Sequence, residues 1–379
     1  MSGTSADGID VGLVRIHGRP PALRFQLLHL YSADYPAALR KAVLAVMAAP
    51  NASVADLARL NTRLSMAYAD AVNAACKEAL IERADLIGCH GQTIYHQGFP
   101  SSYLGAKVAT TWQLADGSRI AALTGSPVVS DFRQADMAAG GRGAPLVPFF
   151  DFLAYRNRRR QRVVLNIGGI ANVSVIPANA KPDHVTAFDT GPGNMMMDAA
   201  MSFLSQGKRN YDAGGRMAAK GRVQEDLLLR LMRNKYFKLK PPKSAGREEF
   251  GVEFTERWMR EHERYQPEDL VATLTAFTAE SIAFSVDRFG PRLKKASAGD
   301  VIASGGGTRN ATLMRMLSDK VERYGYKLTT TDALGLPSQA KEAVAFAVLA
   351  YQTWHKRPSN LPSATGASRP MILGKISYA

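Results

Sequence analysis

Only two cysteines, Cys76 and Cys89, stand in the 379 residues of this chain. No disulfide framework can be built from so few, and without a CxxC or paired histidines nearby they also argue against a structural zinc site. Long apolar runs are missing as well. Hydrophobic residues make up 46% of the chain, yet no run reaches the roughly 18 to 20 residues that a membrane span needs. The first residues are small and polar and lack the basic-then-apolar order of a secretory signal, so the expectation is a soluble, cytoplasmic protein without a membrane partner. Two motifs are absent too. There is no GxxxxGK[ST], which excludes a P-loop enzyme, and no GxGxxG followed by the acidic residue of a dinucleotide fold.

Positive charge, by contrast, is plentiful: 48 Lys and Arg against 33 Asp and Glu give a net charge of +15. Much of the excess is local, in Arg156–Arg162 and in the four lysines between Lys235 and Lys243. Both stretches read as solvated loops. No recognised binding motif accompanies the charge, so a nucleic-acid partner is not expected.

A chain of this length suggests two domains, with a cleft between them for a small ligand. Strand-like and helix-like segments alternate, with glycine turns after the strands, the pattern of an α/β protein. Residues 11–16 and 24–31 read as strands, 37–47 and 54–83 as helices, 86–89 and 127–130 as short buried strands, and 146–155 as a helix leading into the basic loop. There the plan restarts. Residues 162–176 read as strand, glycine turn, strand, an echo of the opening segment that points to a duplicated α/β domain. The expected domains are 1–158 and 159–379. The second continues with a strand into Asp189, helices around 223–232 and 272–286, a strand at 300–303, a last helix over 340–354 and a Pro- and Ser-rich tail that reads as coil.

Glycine at a strand end lets backbone N–H groups approach an anion closely, and a following helix adds a favourable dipole. Three segments offer this: Gly3-Thr4-Ser5-Ala6-Asp7-Gly8 running on to Ile9 and Asp10, Gly168-Gly169 with Asn172, and Gly305-Gly306-Gly307 with Asn310. Asp7 and Asp10 flank the first turn. A carboxylate there suits Mg2+ on a bound phosphate, and equally a turn residue capping its own backbone. Asp189 follows an apolar strand and precedes a Gly- and Pro-rich turn, which places it at the mouth of a sheet as a general base or as a turn cap. His90, Gln92 and Thr93 suit a polar ligand, His90 equally a structural hydrogen bond. Asp131, Arg133 and Asp136 form a second ligand patch, and Glu342 opens the last apolar helix, where acidic residues are favoured by the helix dipole alone.

In order and nearly over the whole chain, these residues resemble the anhydro-N-acetylmuramic acid kinase family. The shared segments are residues 1–8 (MSGTSADG), 89–93 (CHGQT), 130–133 (SDFR), 140–146 (GGRGAPL), 165–169 (LNIGG), 188–194 (FDTGPGN), 242–247 (PKSAGR), 304–307 (SGGG) and 361–366 (LPSATG). The likeness implies two duplicated actin-like ATPase (ribonuclease H-like) domains with an interdomain cleft. It also implies a reaction in which the 1,6-anhydro bond of 1,6-anhydro-N-acetylmuramic acid is hydrolysed while O6 is phosphorylated by ATP, giving N-acetylmuramic acid 6-phosphate in peptidoglycan recycling. By the same likeness the base falls at Asp189, Arg133 and Glu342 contact the sugar, Gly193 and Asn194 belong with the substrate contacts, Mg2+ sits at Asp7, and the protein is a homodimer.

The chain departs from the family pattern in two places. Members carry a short apolar strand before the Met-Ser-Gly-Thr-Ser motif, so the expectation here is either a start upstream of Met1 or a sheet short of one strand behind the first turn. Arg142 stands where the pattern has glutamine. Two other readings compete: a kinase of the same fold acting on another sugar or a hydroxy acid, and a weak nucleotide- or nucleic-acid-binding protein.

Overall fold

The computed structural model describes residues 1–3, 6, 8–20, 22–49, 51–291 and 299–379, with backbone alone at Arg247. The expectations for Thr4, Ser5 and Asp7 fall outside these residues. The chain separates into two compact units, Met1–Leu153 with Ala340–Ala379, and Ala154–Gln339. Expected and observed divisions differ chiefly in the closing segment, which joins the first unit rather than the second.

In the first unit, β1 (Gly8–His17) pairs antiparallel with β2 (Arg24–Asp34), Gly8 opposite Asp34 and His17 opposite Arg24. Helices α1 (Ala37–Ala48) and α2 (Val54–Glu78) follow. The Ser53 hydroxyl caps α2 by accepting from the Asp56 N–H at 3.4 Å, and the helix buries Leu60, Leu64, Tyr68, Ala71 and Ala75 at helical spacing. Its sequence pattern runs on to residue 83. The helix stops earlier because Leu80 takes a φ of 56°, and the N–H groups of Leu80 and Ile81 turn back onto the carbonyls of Lys77 and Cys76.

Next come β3 (Ile87–Gly88), β4 (Gln92–Tyr103), β5 (Ala106–Leu114), α3 (Gly117–Thr124), β6 (Val128–Ser130), α4 (Gln134–Ala138) and α5 (Val147–Tyr155). Strands β4 and β5 form an antiparallel ribbon that the sequence reading did not contain. Strand β3 lies parallel to β6.

The second unit is built on a mixed five-stranded sheet ordered β11-β10-β7-β8-β9. Its elements are β7 (Gln161–Ile167), β8 (Ile170–Ile176), β9 (Thr186–Pro192), α6 (Met195–Leu204), α7 (Glu225–Met232), α8 (Arg247–Phe250), α9 (Val252–Glu261), α10 (Pro267–Phe289), β10 (Gly299–Ser304), α11 (Ala311–Glu322) and β11 (Tyr326–Thr330). Val163, Leu165, Ile167, Val301 and Ala303 bury their side chains in one core with Leu274, Phe277 and Ile282 of α10. By length and composition α10 is apolar enough to cross a membrane, but 83% of its most apolar window is buried inside the fold. Glu280 also interrupts it. The basic stretch before β7 is not wholly solvated: Arg160 and Arg162 both pair with Asp300 on the neighbouring β10, Arg160 Nε donating at 2.8 Å.

The chain then returns to the first unit with α12 (Lys341–Trp354), α13 (Pro362–Thr365) and β12 (Lys375–Ser377). Phe346 of α12 packs edge-on against His90 and Phe132, with ring centroids 4.7 and 5.2 Å away. The tail read as coil supplies β12, antiparallel to β6, so the order β12-β6-β3 forms a sheet separate from β1-β2. A cavity of about 520 Å3 is lined by Ile9 and Leu13 of β1 together with Ile87 of β3 and Phe346 of α12. Met1 lies beside β1, its amino group donating to the Asp10 carbonyl at 2.7 Å and its carbonyl accepting from the Asp10 N–H at 2.8 Å.

Candidate functional site

The first unit holds its candidate residues in a closed polar network. Gln92 is fully buried; its Oε1 accepts from Ser2 at 2.8 Å and Tyr35 at 3.3 Å, while its Nε2 donates to the Gly3 carbonyl at 3.2 Å. With those groups engaged, Gln92 fastens Ser2 and Gly3. The Ala6 N–H donates to the Gly3 carbonyl at 3.2 Å, Ala6 takes a φ of 50°, and Arg40 Nε donates to its carbonyl at 3.1 Å. Gly8 and Ile9 then enter β1, where the Asp10 carboxylate accepts from the Ser32 hydroxyl at 2.6 Å.

His90 is 4% exposed, and burial first, then the Arg133 charge, hold its imidazole well below the usual histidine range. It is therefore neutral: Nδ1–H donates to the Gly91 carbonyl at 2.8 Å, and Nε2 accepts from Arg133 Nη2 at 2.7 Å. Both ring nitrogens are taken, and through Nε2 His90 orients Arg133. Arg133 also donates from Nη1 to the Gly143 carbonyl at 2.7 Å. Burial lowers its guanidinium to about 10, opposed by Glu342 and Asp136, so it stays charged at neutral pH. Three of its five N–H groups remain for a ligand.

Asp136 is engaged in the same way. It is fully buried, and its carboxylate accepts from Asn360 at 2.6 Å, Thr365 at 2.7 Å and the Gly143 N–H at 2.8 Å. Its work is to tie the Gly140–Gly143 loop to the C-terminal segment. Glu342, in the first turn of α12, is open to solvent, although the surrounding protein desolvates its carboxyl and pushes it up, with Lys341 and Arg133 pulling the other way. Arg142 lies over the Phe99 ring at 4.6 Å, a cation–π contact with the β4–β5 ribbon.

The second unit gathers the other two glycine segments. The Gly168-Gly169 turn between β7 and β8 receives the N–H groups of Gly193, Asn194 and Met195 at 2.7 to 3.1 Å, so the start of α6 is bound to it. A Cβ on Gly193 would stand 2.2 Å from the Gly168 carbonyl oxygen, and only glycine lets the two turns meet. Gly305, with a φ of 88°, brings the third segment against Asn166 and Ile167. A Cβ on Gly169 or Gly306 would meet Met195 Cβ at 3.9 Å or the Asn194 amide at 3.8 Å, ordinary contacts, so neither backbone is closed off by a steric clash. Asn194 sits between these turns, its amide 3.8 Å from the Gly306 Cβ position. Asn310 caps α11 by accepting from the Leu313 N–H at 2.9 Å. Asn172 pairs in register with Asp189 across β8 and β9.

Asp189 differs from every carboxylate above. Its backbone is clamped: the N–H donates to the Lys243 carbonyl at 3.0 Å and the carbonyl accepts from the Tyr236 hydroxyl. Its Oδ2 accepts from the Ala245 N–H at 2.9 Å, while Oδ1 has no partner among the described residues. Burial raises the carboxyl to about 6, with the Ala245 N–H and the Lys243 charge opposing. Such a carboxylate, ionised at neutral pH yet close to titration, is well matched to accept a proton. Sequence reasoning quoted the segment around Lys243 without giving it a task; the sole signal was its Pro-Pro-Lys break in a basic stretch.

Within the second unit, glycine turns at strand ends and a carboxylate held close to titration are what one class requires, the phosphotransferases that act on an alcohol group. The comparisons with known proteins narrow it. The family model for anhydro-N-acetylmuramic acid kinase matches residues 1–379, and the chain belongs to that family. A Bacillus cereus protein of that name is 42% identical over 385 residues, covering 100% of this chain and 98% of the relative. One from Bacillus thuringiensis is 41% identical over 380 residues, with the same coverage. Among solved structures, a ROK hexokinase from Thermus thermophilus aligns at 14% identity over 92% of this chain and 99% of its own, with a TM-score of 0.34, too slight to bear on the fold.

Proposed function

We propose that the protein hydrolyses the 1,6-anhydro bond of 1,6-anhydro-N-acetylmuramic acid and phosphorylates O6 at the expense of ATP, forming N-acetylmuramic acid 6-phosphate from recycled peptidoglycan. The observation that carries this reading is Asp189, a partly buried carboxylate with one oxygen fixed by the Ala245 N–H and the other open. A plain kinase needs a base only for the acceptor hydroxyl. Here water attacks C1, the C1–O6 bond breaks, O6 takes the γ-phosphoryl group, and the proton of the water passes to Asp189 Oδ1. Arg133, with three N–H groups to spare, suits the lactyl carboxylate of a muramic sugar, and Glu342 a sugar hydroxyl.

The second unit's glycine segments fit a polyphosphate, because backbone N–H groups at such turns approach an anion with no Cβ between, and nothing lies nearer than 3.8 Å to the Cβ positions of Gly169 and Gly306. ATP supplies the phosphoryl group; Gly168, Gly169 and Gly305–Gly307 would hold its phosphates. Mg2+ is held in such sites by one or two carboxylates and the phosphates themselves, which suits Asp7 as its ligand, with Asp10 nearby in sequence. One glycine segment precedes the antiparallel pair β1 with β2 and another joins the antiparallel pair β7 with β8, a likeness that supports a duplicated actin-like architecture. The reading includes a cytoplasmic homodimer, for which sedimentation of the purified protein is the direct measurement.

The test is turnover in 18O-labelled water with the anhydro sugar, ATP and magnesium, followed by mass spectrometry. One labelled oxygen at C1 and phosphate on O6 are expected. Phosphorylation without label, or transfer to other sugars while the anhydro sugar persists, would overturn the reading.

A further inference from the structure

We propose that Lys243 is a positioning residue for the base: its ammonium, caged by Tyr236, Phe237 and Phe289 and with no hydrogen bond among the described residues, keeps Asp189 a carboxylate where water is scarce. The inference rests on the reading of Asp189 as the base. Lys243 is 7% exposed, and its Nζ lies 4.4 Å from the Tyr236 ring centroid, 5.2 Å from Phe289 and 5.9 Å from Phe237. Among the described residues its Nζ has no hydrogen-bond acceptor. Burying an ammonium that way is costly, and ring faces offset only part of the cost. Asp189 is the negative charge that reaches it.

Its placement is not incidental. The Lys243 carbonyl accepts the Asp189 N–H and the Ala245 N–H donates to the Asp189 carboxylate, so the lysine stem is fastened to the base from both sides. The other charged or titratable groups that act on the pair are Tyr236, Arg288 of α10 and, through Tyr236, Glu249 of α8. Arg288 carries the same sign as the lysine and pushes its ammonium down, after burial, to about 8. Lysine serves here where arginine would not: a guanidinium fork would tend to bind both carboxylate oxygens, whereas an unbonded ammonium acts at a distance and leaves Oδ1 open to water.

The experiment compares the pH dependence of kcat/KM for the anhydro sugar in the wild type, Lys243→Met, Lys243→Gln and Asp189→Asn, with thermal melts and KM for ATP as controls. Removing the positive charge disfavours the carboxylate, so the acid limb of both neutral lysine variants should move up by about one pH unit, about a fivefold loss at pH 6 that nears tenfold below pH 5 and largely recovers by pH 8. Lys243→Arg keeps the charge, so its acid limb should not move up, while its kcat falls as the guanidinium engages Oδ1. Equal losses at every pH, or an unmoved limb in whichever neutral variant folds, would overturn the inference while Asp189→Asn stays inactive. Full turnover by Asp189→Asn would instead remove the base, and with it the ground for assigning the lysine.

Discussion

Asp136 and Asp189 are both largely buried carboxylates at turns, one in each unit, yet they differ in what surrounds them. Asp136 has three donors for its two oxygens. Asp189 has one, and it interacts with an ammonium that has no hydrogen-bond partner among the described residues. A satisfied buried carboxylate has nowhere to put a proton or a substrate and serves as a bracket; an under-satisfied one keeps its free energy available for chemistry. The same contrast separates His90 and Gln92, closed on themselves, from Arg133, which retains donors.

Substitutions at the two aspartates should separate them most sharply. Asp189→Asn removes the proton acceptor and keeps the shape, so kcat should fall about 1,000-fold while the melting temperature and KM for ATP hold. Wild-type kcat/KM should also decline below a pH of about 6, where the carboxyl takes up its proton. Asp136→Ala leaves three donors buried without an acceptor, and urea unfolding should show a loss of about 3 kcal/mol or more. A stable Asp136→Ala protein with a much raised KM for the sugar would return that residue to the substrate contacts and collapse the comparison. A smaller effect is expected at Thr278, whose hydroxyl donates to the Gly193 carbonyl at 2.8 Å from the buried face of α10. Thr278→Val should cost about 1 kcal/mol of stability and loosen the turn, read as a modest rise in KM for ATP.

What was legible in the sequence follows from locality. Strands β7 and β10 announce themselves because Val, Leu and Ile run straight into glycine, and the turns behind them are fixed by residues adjacent in the chain. The β4–β5 ribbon escaped notice because its residues are mostly exposed and its pairing is interrupted near Gln97 and Ser101, which blurs the alternation. Lys243 was hidden among lysines that read as solvated, since the rings around it come from residues 236, 237 and 289. Asp136 looked like a ligand residue because its donors, Asn360 and Thr365, lie more than half the chain away. Fastening by distant partners leaves no trace in a local pattern.

That distance has a consequence for how the protein is made. The second unit is one continuous stretch and can close as soon as it leaves the ribosome, whereas the first unit begins the chain but lacks α12, β12 and the donors of Asp136 until translation reaches the last residues. The first part synthesised is thus the last to be completed, and a nascent chain stalled before residue 340 should carry a protected second unit and a first unit open to proteolysis.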